Sequence, residues 1–169
     1  MNQKTVEQSS DISGRSFSYA EFRRATALSK KEADHWVQTG VIQAGAADGH
    51  RRQYRFESIF EGIIAKQLAD FSSRELLPQT MAALRKFFKD ERINVAKLPV
   101  SPRGPRQLVQ IYTQRSAEIM PGGGVRGVIS YVRRYEPGSG ESGKAVFLTV
   151  DLGQAALTAM EAIRSLPPG

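Results

Sequence analysis

Between Ser29 and Arg55 the chain gathers side chains suited to holding anions rather than to making or breaking bonds. The sharpest cluster is His50-Arg51-Arg52-Gln53-Tyr54-Arg55. Cations crowded on one short strand repel one another unless an anion meets them. Phosphate oxygens are the natural match for the guanidinium fork. Upstream, Lys30, Lys31, His35 and Gln38 fall on one side of a helical pattern that opens at Ser29. They supply hydrogen-bond donors for phosphates and for base edges. Alone, such a set is what any solvated helix face presents; the Arg cluster that follows is what points to a ligand.

Other chemistries find no residues to carry them. The chain has no Cys, which excludes disulfides, thiolate ligands and a Cys nucleophile. Its two His, His35 and His50, lack HxxE or HExxH spacing, so no metal site is expected. There is no Ser/His/Asp set and no identifiable pair of carboxylates, so neither catalysis nor a cofactor is expected. The run Gly122-Gly123-Gly124 is not followed by Gly-Lys-Ser/Thr. The GSGESGK stretch ends at Lys144 with Ala145 after it, which is not a phosphate-binding loop. A net charge of +7 favours a polyanionic partner.

Length and hydropathy bound the rest. The 169 residues, 40% of them hydrophobic, allow one medium domain or two small ones with a real core. No apolar run approaches the roughly 20 residues that cross a bilayer, so no membrane association is expected. The opening MNQKTVEQSSDISGRS lacks the apolar stretch of a signal peptide, which predicts a cytoplasmic protein.

The elements that must position the basic residues read as follows. Residues 1–15 are polar and aperiodic, a tail. A first helix spans about Ser18 to Thr26, with Tyr19, Phe22 and Ala25 inward and Arg23 and Arg24 outward. Ala27 and Leu28 make a turn. Ser29 and Glu32 then form an S-x-x-E capping box for a second helix, whose Ala33, Trp36 and Val37 pack inward. That leaves Lys30, Lys31, Asp34, His35 and Gln38 outward, and Gly40 sits at the C-cap. Val41-Ile42 reads as a strand, Gly45 to Gly49 as a hairpin tip, and Arg52 to Phe56 as the return strand. A third helix from Glu57 to about Phe71 and a fourth from about Pro78 carry core stripes. The charged stretch Arg85 to Arg92 reads as a solvated helix end.

On these residues, positions 17–92 resemble the N-terminal winged-helix domain of MerR-type regulators and related excisionase-like modules. The resemblance lies in Ser29 at the helix opening, in Trp36, in the exit Thr39-Gly40-Val41-Ile42, and in Gly49-His50-Arg51-Arg52 followed by Tyr54. It implies that the helix from Ser29 enters the DNA major groove while Arg51, Arg52 and Tyr54 lie on the backbone. Double-stranded DNA is then the expected partner, with RNA polymerase a candidate second partner and a homodimer the expected assembly. The sequence departs from the family at Asp34, where Arg is frequent, at Arg23, where a small residue is usual, and at Gln53 within the wing. The family's long dimerising helix is also missing after the domain.

Residues 93–106, with Pro99, Pro102 and Pro105, read as a linker. Beyond it, Leu108–Thr113, Gly127–Tyr135 and Lys144–Val150 read as strands, the last two as an antiparallel pair across the Gly-rich loop. Asp151 and Gln154 cap a final helix with the stripe Leu152, Ala156, Ala159, Ile163 and Leu166. Its small residues Ala155, Ala156, Ala159 and Ala162 make it the candidate pairing surface, and the equal alternative is that this stripe simply covers its own three-stranded sheet. The expected fold is thus α+β: a winged helix-turn-helix of four helices and a β-hairpin over 16–92, then a small antiparallel sheet with one helix over 107–169. The second unit would dimerise the chain, bind a partner or sense an effector. The expected function is a sequence-specific DNA-binding transcriptional regulator contacting DNA through Ser29, Lys30, Lys31, His35, Gln38, His50, Arg51, Arg52, Tyr54 and Arg55. Two other readings stay open: a non-enzymatic adaptor that uses the winged helix for protein contacts, and an architectural DNA-binding protein.

Overall fold

The computed structural model describes residues 12, 14–45, 47–48, 51–70, 76–98, 108–119, 125–134 and 147–167; at 47–48, 51, 110, 112–119, 125–134 and 147–148 it describes the backbone alone. Helices and antiparallel sheet are mixed. In chain order come α1 (Tyr19–Thr26), α2 (Lys30–Gln38), the two-residue strands β1 (Ala47–Asp48) and β2 (Arg51–Arg52), α3 (Phe56–Ala69) and α4 (Leu76–Asp90). A 3₁₀ turn (Val95–Lys97), β3 (Leu108–Ile119), β4 (Val125–Arg134), β5 (Phe147–Asp151) and α5 (Leu152–Arg164) complete it.

Local chemistry starts the first two helices. Ser18 and Ser29 each accept a hydrogen bond from the backbone N–H three residues on, and Glu21 and Glu32 reach back to the cap N–H. Both are full capping boxes, satisfying donors that a helix start leaves open. Ala27 ends α1 in the left-handed region, and Lys66 of α3 donates to its carbonyl at 2.8 Å. Gly40, at φ 74°, lets the chain fold back after α2, so that the Ile42 N–H bonds the Trp36 carbonyl.

α3 is the hub. Residues from every quarter of it are buried, Phe56, Ile59, Phe60, Ile63, Ile64 and Leu68 among them. It meets α1, α4, the 3₁₀ turn and α5. Where α3 crosses α1 the gap is too narrow for a side chain. A Cβ on Gly62 would stand 2.6 Å from Thr26 Cγ2.

Several expectations change. Val41 and Ile42 form no strand. Both are buried in the core, and the Arg85 guanidinium takes the Val41 carbonyl that a ladder would have used. The hairpin pairs Ala47 with Arg52 and Asp48 with Arg51, so its strands are shorter and nearer the tip than expected. Phe56 begins α3 rather than ending a strand. Residues 71–75, where the third helix was expected to end, lie outside the described residues. Ile93 to Leu98, placed in the linker by the sequence, pack as core: Val95, Ala96 and Leu98 are buried behind an Asn94 cap.

The second sheet has the order β4-β3-β5. The long β3 is central and antiparallel to both neighbours, with Val109 opposite Arg134 on one side and Val150 on the other. The expected β4–β5 pair is therefore absent, because β3, whose Val109 and Ile111 are buried, takes the middle place. α5 is capped by Asp151 as expected. Its stripe, however, is already used. Leu152, Ala155, Ala156, Ala159, Met160 and Ile163 are buried, and α5 packs on α1 and α3 as well as on β3. Small Ala side chains permit that close packing within the chain, so this face is not free to pair with a second copy.

Candidate nucleic-acid interface

α2 presents two unlike faces. Ala33 and Trp36 are buried, whereas Lys30, Lys31, Asp34, His35 and Gln38 are exposed, as the spacing predicts. Its N-terminal turn is open to solvent. The Ser29 hydroxyl is engaged by the Glu32 N–H at 3.2 Å, so Ser29 acts first as a cap. These hydrogen bonds from the Ser29 side chain and backbone hold Glu32 below the ordinary carboxylate value.

On the return strand β2 and just after it, Arg52 and Arg55 are exposed. His50 lies outside the described residues, and of Arg51 only the backbone is described, in β2. Tyr54 is placed differently from the expectation. It is 1% exposed, stacks on Phe22 with centroids 4.2 Å apart, and its N–H and C=O bridge Phe17. A side chain so enclosed cannot lie along a DNA backbone. Tyr54 instead roots the hairpin in the core, with its hydroxyl in reach of Arg52, and burial pushes its pKa up.

Arg52 and, from α2, Asp34 line one open cleft of about 730 Å³ with Ser16, Tyr19 and Tyr54, whereas Lys30, Lys31, His35 and Gln38 line a separate cleft that Asp34 also borders. Within the first the Tyr19 hydroxyl donates to Asp34 Oδ1 at 2.6 Å and lies 3.3 Å from the Lys30 carbonyl. Burial first, then the Asp34 bond, pushes the Tyr19 pKa up to about 12. The Asp34 position, conspicuous in the sequence as an acid on a basic face, is therefore built into the helix pair.

In the charged stretch Arg85 to Arg92, expected as a solvated helix end, Lys86, Lys89, Asp90, Glu91 and Arg92 are exposed as expected, but Arg85 is drawn inward. The Arg85 Nε donates to Glu61 Oε1 at 2.8 Å, and its terminal nitrogen donates to the carbonyls of Gly40 and Val41, each at 2.7 Å. Glu61 Oε2 accepts from the Gln43 N–H at 2.8 Å, and the Ser58 hydroxyl donates to the Gln43 carbonyl. One buried pair thus fixes the connector between α2 and the hairpin. Burial pushes the Glu61 pKa up despite Arg85. The signal was a lone Glu inside the apolar run Ile59 to Ile64, a place where a charge needs a partner.

Among the described residues no group of three His, Asp or Glu could hold a metal ion, and no helix is long and apolar enough to cross a membrane. No protein-family model matches the chain, and comparison with curated proteins finds no significant match. The site presents cations and neutral donors on a capped helix, near a hairpin strand whose Arg52 is exposed.

Proposed function

We propose that the chain is a sequence-specific DNA-binding regulator, with α1, α2 and the β1–β2 hairpin acting as a winged helix-turn-helix of the MerR-like kind. The single observation that carries the reading is the exposed face of α2. A nine-residue helix, capped at its start and braced from behind by buried Ala33 and Trp36, offers Lys30, Lys31, His35 and Gln38 to solvent. A helix in that state fits the major groove with its N-terminal residues at base edges. Arg52, which lines a cleft with Asp34 of α2, and exposed Arg55 would then meet phosphates. RNA polymerase remains a candidate partner, and a homodimer on a two-fold site would pair through surfaces other than the buried stripe of α5.

The test is a fluorescence anisotropy titration of the whole chain against a random-sequence duplex at increasing salt. Phosphate-led binding weakens with a log–log slope of about −0.9 per phosphate neutralised. Arg52→Ala and Arg55→Ala each flatten that slope by roughly one, on every sequence alike. Salt-independent binding, or no binding at low salt, contradicts the reading.

A further inference from the structure

The exposed face of α2 carries one group that DNA binding through phosphates does not use. Asp34 sits four residues after Lys30 and four before Gln38, in one row on that face. A carboxylate there repels phosphate on every sequence, so general affinity is lower for its presence. Lys30 stands at the spacing for an i,i+4 ion pair and Arg52 lines the same cleft, yet among the described residues no ion pair involves Asp34. The residue that does hold it is a neutral donor, Tyr19.

Tyr19 is itself fixed. Its ring lies 6.1 Å from that of Tyr54 and 5.9 Å from the Arg23 guanidinium, and its hydroxyl also reaches the Lys30 carbonyl. With its pKa pushed up to about 12, it remains a donor throughout the neutral range. The bond engages Oδ1 and leaves Oδ2 without a partner among the described residues. Asp34 is exposed on α2, so that second oxygen is open to a donor from outside the chain.

We infer that Asp34 is a base-reading residue, its carboxylate aimed by the Tyr19 hydroxyl to accept a hydrogen bond from cytosine N4 in the major groove. Among base edges, cytosine N4 is the donor that acidic side chains take, whereas a carboxylate facing adenine N6 also meets the acceptor N7. The inference rests on the DNA-binding reading. The repulsion it costs is common to all sequences, and the cytosine contact is made on some; together they widen discrimination more than affinity.

The experiment is selection of bound duplexes from a randomised library, read by sequencing, for the whole chain and three variants, with thermal midpoints measured alongside. The unaltered chain enriches C·G at one position. Asp34→Ala loses roughly tenfold or more of that preference, while its affinity for random duplex stays or rises. Asp34→Asn keeps the side-chain shape and moves the preference at that position toward A·T, since Asn pairs with adenine N6 and N7. Tyr19→Phe keeps general affinity and weakens the same preference. If Asp34→Ala binds all sequences more weakly with its preference intact, Asp34 is a clamp and the inference is wrong, while the DNA-binding reading stands. If the unaltered chain binds no duplex, both fall.

Discussion

Two basic runs, Ser29-Lys30-Lys31-Glu32 and Leu84-Arg85-Lys86-Phe87, look alike in the sequence and do opposite work in the molecule. Lys30 and Lys31 stand exposed at the start of a capped helix, with no ion pair among the described residues. Arg85 is drawn inward, where its guanidinium is shared between Glu61 and the carbonyls of Gly40 and Val41. Placement separates the two roles. A cation whose donors are turned to the chain serves the fold, and one whose donors face water is available to a ligand. Lys86, one residue on, shows the boundary: it pairs with exposed Asp90, an i,i+4 contact of small worth.

The comparison breaks most visibly at Arg85. Arg85→Ala leaves Glu61 buried without its partner and frees two carbonyls, so chemical denaturation is expected to show a loss of about 3 kcal/mol or more. Lys30→Ala or Lys31→Ala is expected within roughly 0.5 kcal/mol of the unaltered chain, with its effect confined to DNA affinity. Equal stability losses for both kinds of variant would erase the distinction. Replacing the pair together, Glu61→Leu with Arg85→Met, costs less than the two single changes summed, because no charge is left stranded.

A smaller effect is expected where α1 and α3 cross. Gly62→Ala sets a methyl against Thr26, a buried β-branched side chain whose hydroxyl donates to the Phe22 carbonyl at 2.8 Å. Overpacking of that kind costs about 1–3 kcal/mol, less the roughly 1 kcal/mol that Ala contributes to a helix over Gly. A thermal melt that shows Gly62→Ala more stable than the unaltered chain would mean that the helices separate easily.

The pH dependence sharpens the contrast further, and the signs differ between the two regions. Glu21 and Glu32, held below 4.5 by their cap hydrogen bonds, are charged more readily folded than unfolded. Their stabilisation is present above about 4.5 and is lost as pH falls through the folded values. Glu61, raised by burial, behaves oppositely: the folded chain binds its proton first, so its contribution to stability improves as pH falls toward 4.5. Denaturation midpoints followed downward from pH 7 are expected to show this improvement in the unaltered chain and not in Glu61→Gln. Ser29→Ala, removing one cap, is expected to cost about 1 kcal/mol.

Legibility in the sequence followed the range of the interactions. The Ser29–Glu32 box and the outward row of α2 are set within a few residues, and reading them needed only spacing. The Ser18–Glu21 box carried the same pattern and went unread beside it. Tyr54 misled because an aromatic between two Arg looks like a contact, and only the fold brings Phe22 beneath it. Val41-Ile42 is too short to show a period, and the donor to the Val41 carbonyl, Arg85, comes from more than forty residues away. The β4-β3-β5 order was out of reach for a similar reason: a Gly-rich loop says where the chain turns, not which strand it will lie beside. The stripe on α5 was visible as apolar, but what covers it is decided by α1 and α3.

The central claim is that one face of this molecule, α2 with the hairpin beside it, meets duplex DNA. Backbone amide shifts of the labelled chain, followed as a duplex is added at low salt, test it directly. The expected result is a set of perturbations over residues 29–38 and 52–55, reversed by added salt, with residues 152–164 unmoved. Perturbations confined to residues 108–134, or none on the α2 face, would contradict it.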